Sequence, residues 1–394
     1  MMRFASAATP DAETPSALDR VVAGVREGLA GERADALFVF FGPAHAPAAA
    51  TLRDRLRAEF PGAKLLGCSA GGVIGGGREF ESPRGLALAA AHLPGVEVVE
   101  FHVEAADLPS PDAGPAAWQR LVGTTPIAGP SFVIAVDPYS FPAQALVAGL
   151  DFAFPEATKV GGLASGAAGP GDQTLLLGDR VLRTGAVGFA LTGDVTIVPA
   201  VAQGCRPIGP VFTVTRCDDN LIHELDGHPA LETAHRVLRE ADEHDRELAR
   251  AAALFVGLET DPFGPSDGHW LVRNILGRER DGGGLYVGER LRPGRRVRFH
   301  VRDRVSSSED LDRTLLAAHD GPGRGSRGAL LFSCLGRGMH LYGVPDHDTR
   351  AFHALFPGTP VGGFFCSGEI GPVGDQTHLH GFTSSFGLLR PRRG

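Results

Sequence analysis

The sequence predicts an α/β protein of two domains, with mixed β-sheets and helices built from internally repeated strand-helix-strand-hairpin units. Three observations carry this. The chain has 394 residues, more than one ordinary hydrophobic core organises. One phrase occurs twice: Val160-Gly161-Gly162, Ser165-Gly166, Gly169-Pro170, Gly171-Asp172-Gln173-Thr174, and again Val361-Gly362-Gly363, Ser367-Gly368, Gly371-Pro372, Gly374-Asp375-Gln376-Thr377. Each copy follows a Phe-Pro pair, Phe154-Pro155 and Phe356-Pro357, and an internal repeat of this kind sets the architecture. Short β-branched or aromatic runs also alternate with segments of helical pattern.

The unit opens with an apolar strand, at 36–41, 132–136 and 329–334. A helix follows at 47–59, 142–152 and 348–355, with Pro47 and Pro142 in the first turn, where proline is tolerated. Each helix stops at a Phe-Pro pair, because proline disfavours the helical conformation of its predecessor. A second strand then runs into glycines at 65–69, 160–162 and 361–363. Hairpins are expected from 85–91 with 96–103, 186–191 with 195–201, and 284–287 with 296–301. Residues 99–103 and 297–301 are near-copies. The chain thus reads as two halves of two units each, the third unit degenerate around its strand at 253–258. A long amphipathic helix at 228–252, capped by Asp226, starts the second half, and Ser306 with Glu309 boxes a helix over 310–318.

Composition excludes several classes. Net charge is -8 and there is no Lys/Arg-rich run, so nucleic acid is not an expected partner. No apolar run is long enough to span a bilayer, and residues 1–19 lack the blocks of a signal peptide. The five cysteines, Cys68, Cys205, Cys217, Cys334 and Cys366, form no CxxC pair, which fits a reducing, cytoplasmic compartment. The 15 histidines form no HExxH, and no metal is expected.

The candidate chemistry lies at the glycine strands. Gly71 and Gly72, Gly162, and Gly363 with Gly368 crowd loops in equivalent places, where bare amides admit a ligand or strands pack tightly. They match neither a P-loop nor a dinucleotide fingerprint. Cys68-Ser69 and Cys366-Ser367 sit there too, with Ser165 in the second copy, but no Ser-His-Asp or Cys-His order is legible. Cys334 ends a strand three residues before Arg337-Gly338, a setting that favours thiolate or simply buries a small side chain. Arg273-Asn274 and Arg302-Asp303 follow apolar strands, and each buried arginine needs a carboxylate or an anionic ligand; Asp303, Glu369 and Asp375 are internal candidates. Asp375-Gln376 belongs to the repeated tetrapeptide. Lys64 and Lys159, the only lysines, precede glycine strands, but Pro360 stands at that place in the last copy, so a Ser-Lys pair is not repeated.

Several of these residues resemble those of the FIST (F-box and intracellular signal transduction) family. The resemblance rests on Leu66-Gly67-Cys68-Ser69-Ala70-Gly71-Gly72, Leu271-Val272-Arg273-Asn274, Phe299-His300-Val301-Arg302-Asp303, Leu331 to Gly338 and Gly363 to Ile370. It implies a FIST N domain over 34–225 and a FIST C domain over 226–390, after a flexible segment at 1–33. It further implies a cytoplasmic sensory protein, not an established enzyme, whose ligand is an amino acid or other small metabolite and whose output passes to a separate signalling protein. The chain leaves no room for an F-box before Ala34. Some bacterial members bind heme to sense nitric oxide, so heme is the alternative to no cofactor; a Cys- or Ser-dependent hydrolase or transferase is the other alternative. The ligand-binding residues expected on this basis are Cys68, Ser69, Gly71, Gly72, Gly162, Ser165, Arg273, Asn274, Arg302, Asp303, Cys334, Arg337, Gly338, Gly363, Ser367, Glu369, Asp375 and Gln376.

Overall fold

A computed structural model describes residues 1–110, 112–251, 253–260 and 270–392. Two compact units emerge, Met1–Ala202 with Leu311–Gly394, and Gln203–Asp310, so in sequence the second is inserted into the first.

The first unit contains one repeat three times. Repeat one runs β1 (Arg3–Thr9), α1 (Thr14–Leu29), β2 (Ala36–Phe41), α2 (Ala49–Glu59), β3 (Lys64–Ser69), the hairpin β4 (Val73–Gly75) and β5 (Arg78–Phe80), then β6 (Leu86–His92). Repeat two runs β7 (Val96–Val103), α3 (Pro115–Val122), β8 (Ser131–Val136), α4 (Ala143–Ala153), β9 (Lys159–Leu163), the hairpin β10 (Leu175–Leu177) and β11 (Arg180–Leu182), then β12 (Ala186–Gly193). Repeat three opens with β13 (Thr196–Ala202) and is interrupted by β14 (Arg206–Asp218), β15 (Leu221–Leu225), β16 (His228–Pro229), α5 (Ala230–Glu240), α6 (Glu243–Arg250), β17 (Leu254–Glu259), β18 (Trp270–Arg278), β19 (Leu285–Val287) and β20 (Arg296–Val301). It resumes along α7 (Arg304–Asp320) with β21 (Gly328–Cys334), α8 (Gly338–Tyr342), α9 (His347–Leu355), β22 (Val361–Cys366), the hairpin β23 (Glu369–Val373) and β24 (Gln376–His380), and β25 (Ser384–Arg390).

Each repeat contributes four strands in the same order, β1-β6-β2-β3, β7-β12-β8-β9 and β13-β25-β21-β22. The last two places of each six-stranded sheet are filled by another repeat's hairpin: β10–β11 on β3, β23–β24 on β9, and β4–β5 on β22. The exchange closes in a ring. Strand periodicity then sorts the side chains. Phe38, Phe40, Val133, Phe189, Phe332 and Phe364 share a central core among the three sheets. Phe40 stacks on Phe364 at 4.7 Å, and Phe38 meets Phe189 edge-on at 5.5 Å. The alternate residues face helices: Leu37 and Val39 with α1 and α2, Phe132 and Ile134 with α3 and α4, Leu331 with α7 and α9. The inserted unit closes on itself, β14-β20-β17-β18-β19-β15 and back to β14, around Phe212, Val256, Leu271 and Phe299.

Several expectations are corrected. Residues 1–33 are not a flexible segment: β1 pairs along its whole length with β6, and α1 buries Leu18, Val21, Val25 and Leu29. The compact units do not divide at 225/226. The architecture is three repeats plus a barrel, not two halves of two units. The strand at 253–258 is β17 of the barrel and not a degenerate third unit. The expected hairpins of 85–91 with 96–103 and of 186–191 with 195–201 are absent, because β6 and β7, and β12 and β13, lie in different sheets. In the barrel, β19 and β20 are not neighbours either. The helix expected at 228–252 is broken: Asp242 accepts the Asp245 N–H and starts α6. Residue 252 lies outside the described residues. The helix expected over 310–318 begins earlier, at Arg304.

Candidate functional site at the junction of three repeats

Hydrogen-bond register identifies the equivalent glycines. Gly67 faces Val39, Gly161 faces Ile134 and Gly363 faces Leu331 in the parallel pairs. A Cβ at any of the three would overlap the facing carbonyl oxygen. These glycines therefore serve close strand approach, and the two Val-Gly-Gly copies align one residue out of step. The paired tetrapeptides also diverge. Asp172 precedes β10, whereas Asp375 sits with Gly374 in the β23–β24 turn. The two aspartates are not equivalent.

Beyond the glycines the three strand ends knit together. Ser69 N–H donates to Thr174 O (2.8 Å), Leu163 N–H to Gly368 O (2.8 Å) and Phe365 N–H to Gly72 O (2.9 Å), one bond per hairpin exchange. A second set follows: Ser165 N–H to Ser69 O and Ser367 N–H to Leu163 O, both 3.1 Å. At the third place a side chain intervenes. Gly71 N–H donates to Ser165 Oγ (2.8 Å), and Ser165 Oγ–H donates to Phe365 O (2.5 Å). A Cβ on Gly71 would lie 2.6 Å from Leu335 Cδ2, so only glycine lets the Leu335 side chain cover this spot. Leu335 is 42% exposed and Ser367 is exposed, while Cys68, Ser69, Ser165 and Cys366 are buried. Gly162 is required by Cys366 Sγ, and Gly72 by Phe365.

The serines are engaged as structural donors. Ser69 Oγ–H donates to Gln173 Oε1 (2.6 Å) and accepts the Thr174 N–H. Lys159 Nζ donates to Asp151 (2.7 Å) and Phe154 O (2.6 Å), and burial lowers its pKa. Asp151 in turn accepts the Thr377 N–H and hydroxyl, which docks the β23–β24 hairpin. Lys64 pairs with Glu100 instead. Burial pushes the Cys68 and Cys366 thiols well up, the neighbouring Glu369 adding to the effect at Cys366.

Arg337 is fully buried. Its Nε donates to Asp348 Oδ2 (3.0 Å), Nη2 to Asp348 Oδ1 (3.2 Å) and to the Tyr342 hydroxyl (2.5 Å). The guanidinium is thus committed to Asp348; Cys334 Sγ accepts the Gly336 N–H at 3.5 Å. Asp348 also accepts from Ser333 and Ser384. Burial would raise the Asp348 carboxyl, but Arg337 and these hydrogen bonds hold it well below the usual range. Gly338 leaves room for Glu81, whose Oε1 accepts the Met339 N–H at 2.7 Å. Glu369 is buried and accepts the Thr383 N–H.

Twelve of the residues expected from sequence, Cys68, Ser69, Gly71, Gly72, Gly162, Ser165, Cys334, Arg337, Gly338, Gly363, Ser367 and Glu369, therefore lie on strands and adjoining segments of the three repeats. Asp375 and Gln376 lie at the tip of β23–β24, the longest of the three exchanged hairpins. Arg273, Asn274, Arg302 and Asp303 belong to the barrel unit. There Arg273 Nε bonds Glu289 (3.0 Å), and Asp303 starts α7 by accepting the Ser306 N–H at 2.7 Å while pairing with His244 at 3.2 Å. Gln173, Asp348, Tyr342 and Glu79 were missed. Gln173 alone carried a signal, its place in the repeated tetrapeptide.

The family model described as FIST N domain matches residues 35–228, and that described as FIST C domain matches 230–372. The chain belongs to the FIST family. FIST domains are associated with signal transduction. An uncharacterized protein of Mycobacterium tuberculosis is 36% identical over 384 residues, 96% of this chain and 97% of that protein. An uncharacterized protein of Mycobacterium bovis is 34% identical over 385 residues, 97% and 96% of the two chains. A crystal structure of a cyanuric acid hydrolase from A. caulinodans aligns over the whole of both chains with a TM-score of 0.37 and 9% identity. Among the described residues no helix is long and apolar enough to cross a membrane, and no three His, Cys, Asp or Glu side chains form a group that could hold a metal ion.

Heme, the alternative that the resemblance brings in, needs a His or Cys facing an apolar cavity. A cleft of about 830 Å³ beside β1 is lined by His353, but its Nε2 faces Thr359 O at 3.1 Å and the walls include Arg3, Glu32 and Arg327. That lining does not fit a macrocycle.

Proposed function

We propose that this FIST protein is a cytoplasmic small-ligand-binding sensory protein that passes its state to a separate signalling protein. One observation carries the placement of its ligand site. The three repeats meet through matching backbone bonds at two junctions, and at the third the Ser165 hydroxyl stands between Gly71 N–H and Phe365 O. A hydroxyl takes the place of the direct backbone bond there, and Leu335 and Ser367 nearby are exposed. Packing alone asks for three equal junctions, so the unequal one is the place where a small metabolite gains backbone and hydroxyl partners. The engaged serines and the Asp348-bound Arg337 support binding over covalent chemistry.

A thermal-shift screen of amino acids and small organic acids tests this. A stabilising compound should lose its effect in Leu335→Glu, a change at an exposed position. If every stabilising compound shifts Leu335→Glu and the parent equally, the site is elsewhere; if none stabilises the parent, the ligand reading fails. A Soret band in protein purified from its native host would replace it with the heme alternative.

A further inference from the structure

The β4–β5 hairpin crosses from repeat one to the sheet of repeat three, where only two residue pairs, Ile74 with Gly363 and Val73 with Phe364, join it to β22. Val73 and Ile74 are buried in the apolar cores, and the outer part of the hairpin is held by polar anchors. Asp346 accepts from Arg78 Nε (2.8 Å) and Glu79 N–H (2.7 Å). Glu79 Oε1 accepts the Thr349 N–H in the first turn of α9 (2.7 Å), and Glu81 accepts the Met339 N–H. Glu79 is 6% exposed, and its second oxygen, Oε2, is buried with no hydrogen-bond partner. Burial with one oxygen left without a partner favours the neutral form of a carboxyl.

We propose that the β4–β5 hairpin is a pH-sensitive latch, held closed while Glu79 keeps its proton and loosened when Glu79 loses it. The surroundings explain the sign. Asp346 and Asp348 face Glu79 from the α9 side, and Arg337 is already committed to Asp348. Arg78 and Arg350 reach Asp346, His347 lies on Asp348, and Glu81 with His340 belongs to the neighbouring α8 contact. These neighbouring cations pair with Asp346 and Asp348. Burial first, then the Asp348 charge, push Glu79 up to about 8, against the Thr349 N–H. An opened hairpin returns Glu79 to water, where it ionises near its ordinary value of about 4.3. Opening therefore becomes more favourable from about pH 5 to about pH 8 and levels off above. Gly71 is two residues from β4, so opening also loosens the junction of repeats.

Amide hydrogen exchange, corrected for the intrinsic effect of pH, tests the latch at Ile74, Glu79 and Phe80 between pH 5 and 8. Protection should fall by about tenfold per pH unit in the parent chain. It should stay flat in Glu79→Gln, which keeps the Thr349 bond without the charge. The β10–β11 hairpin, whose Asp179 is exposed, is the internal control and should not follow. Constant protection in the parent overturns the latch, whatever the variant does. So does an equal slope in Glu79→Gln, which would assign the effect to His347 or His340, or an equal slope in β10–β11. Ligand binding enters none of these readouts, so the latch stands or falls apart from the proposed ligand site.

Discussion

Among the described residues Arg337 is the largest fully buried side chain, and its neighbours are arranged to receive a cation. Asp348 takes two of its N–H groups, the Tyr342 hydroxyl a third, and the Tyr342 ring lies flat on His347 at 3.4 Å. Removing one partner strands the other charge in the core. Arg337→Met or Asp348→Asn should each destabilise the chain by about 3–5 kcal/mol, and the double variant by clearly less than the sum. Denaturant titration of the four proteins checks this. The pH dependence follows from the depressed Asp348 carboxyl: its contribution is present above the unfolded value of about 3.9 and is lost as pH falls below it. The sequence singles out Arg337 only as a cation three residues after Cys334. Its partner was not legible, because Asp348 reads there only as an acidic residue near a helix start. Without that partner in view, the sequence leaves Cys334 open between a thiolate-favouring setting and a buried small side chain.

At the scale of elements, the Phe-Pro stops were read correctly. The N–H groups of Phe60, Phe154 and Phe356 each close the last turn of α2, α4 and α9. That signal is local, so the sequence displays it. The strand pairings are not local. β6 and β7 are separated by a tight Pro94-Gly95 turn and look like a hairpin, yet they part into two sheets because β6 finds β1 and β2, and β7 finds β12. The glycine strands were recognised while their register was misplaced by one, since adjacent glycines are interchangeable on paper and differ only by which carbonyl they face. Gly363→Ala tests the register. Its methyl would collide with the Leu331 carbonyl, so a loss of more than about 3 kcal/mol is expected, by overpacking against backbone that cannot yield. Gly358→Ala has open space but a φ of 73° and should cost only about 1 kcal/mol through its left-handed backbone. Thermal melts of the two variants should separate widely.

At the scale of the molecule, the two units respond to pH in different ways. The barrel core draws only on residues of Gln203–Asp310, so that segment expressed alone should fold. Within it His300 is 1% exposed, and burial lowers its pKa to about 4. A depressed histidine stabilises fully above its unfolded value of about 6.5, and that contribution of about 3 kcal/mol fades as pH falls toward 4. Urea unfolding of the excised barrel at pH 7 and pH 5 should show the loss, and His300→Gln should flatten it. The repeat of the first unit was half visible, since two of its copies share a phrase and the third, repeat one, shares only its rhythm. The ring of exchanged hairpins was invisible, because nothing in a strand names the sheet it will join. That ring has a kinetic consequence. As the chain leaves the ribosome, β4 emerges early and must wait roughly 290 residues for its partner β22, with the whole barrel made in between. No repeat finishes its own sheet: repeat two completes the sheet of repeat one, but β9 and the β4–β5 hairpin lack their partners until the third repeat arrives. Final assembly of this unit is expected to be a late closure, and a nascent chain cut short before β22 should be protease-sensitive at β4 and β5, while β3, already flanked by β2 and β10, stays protected.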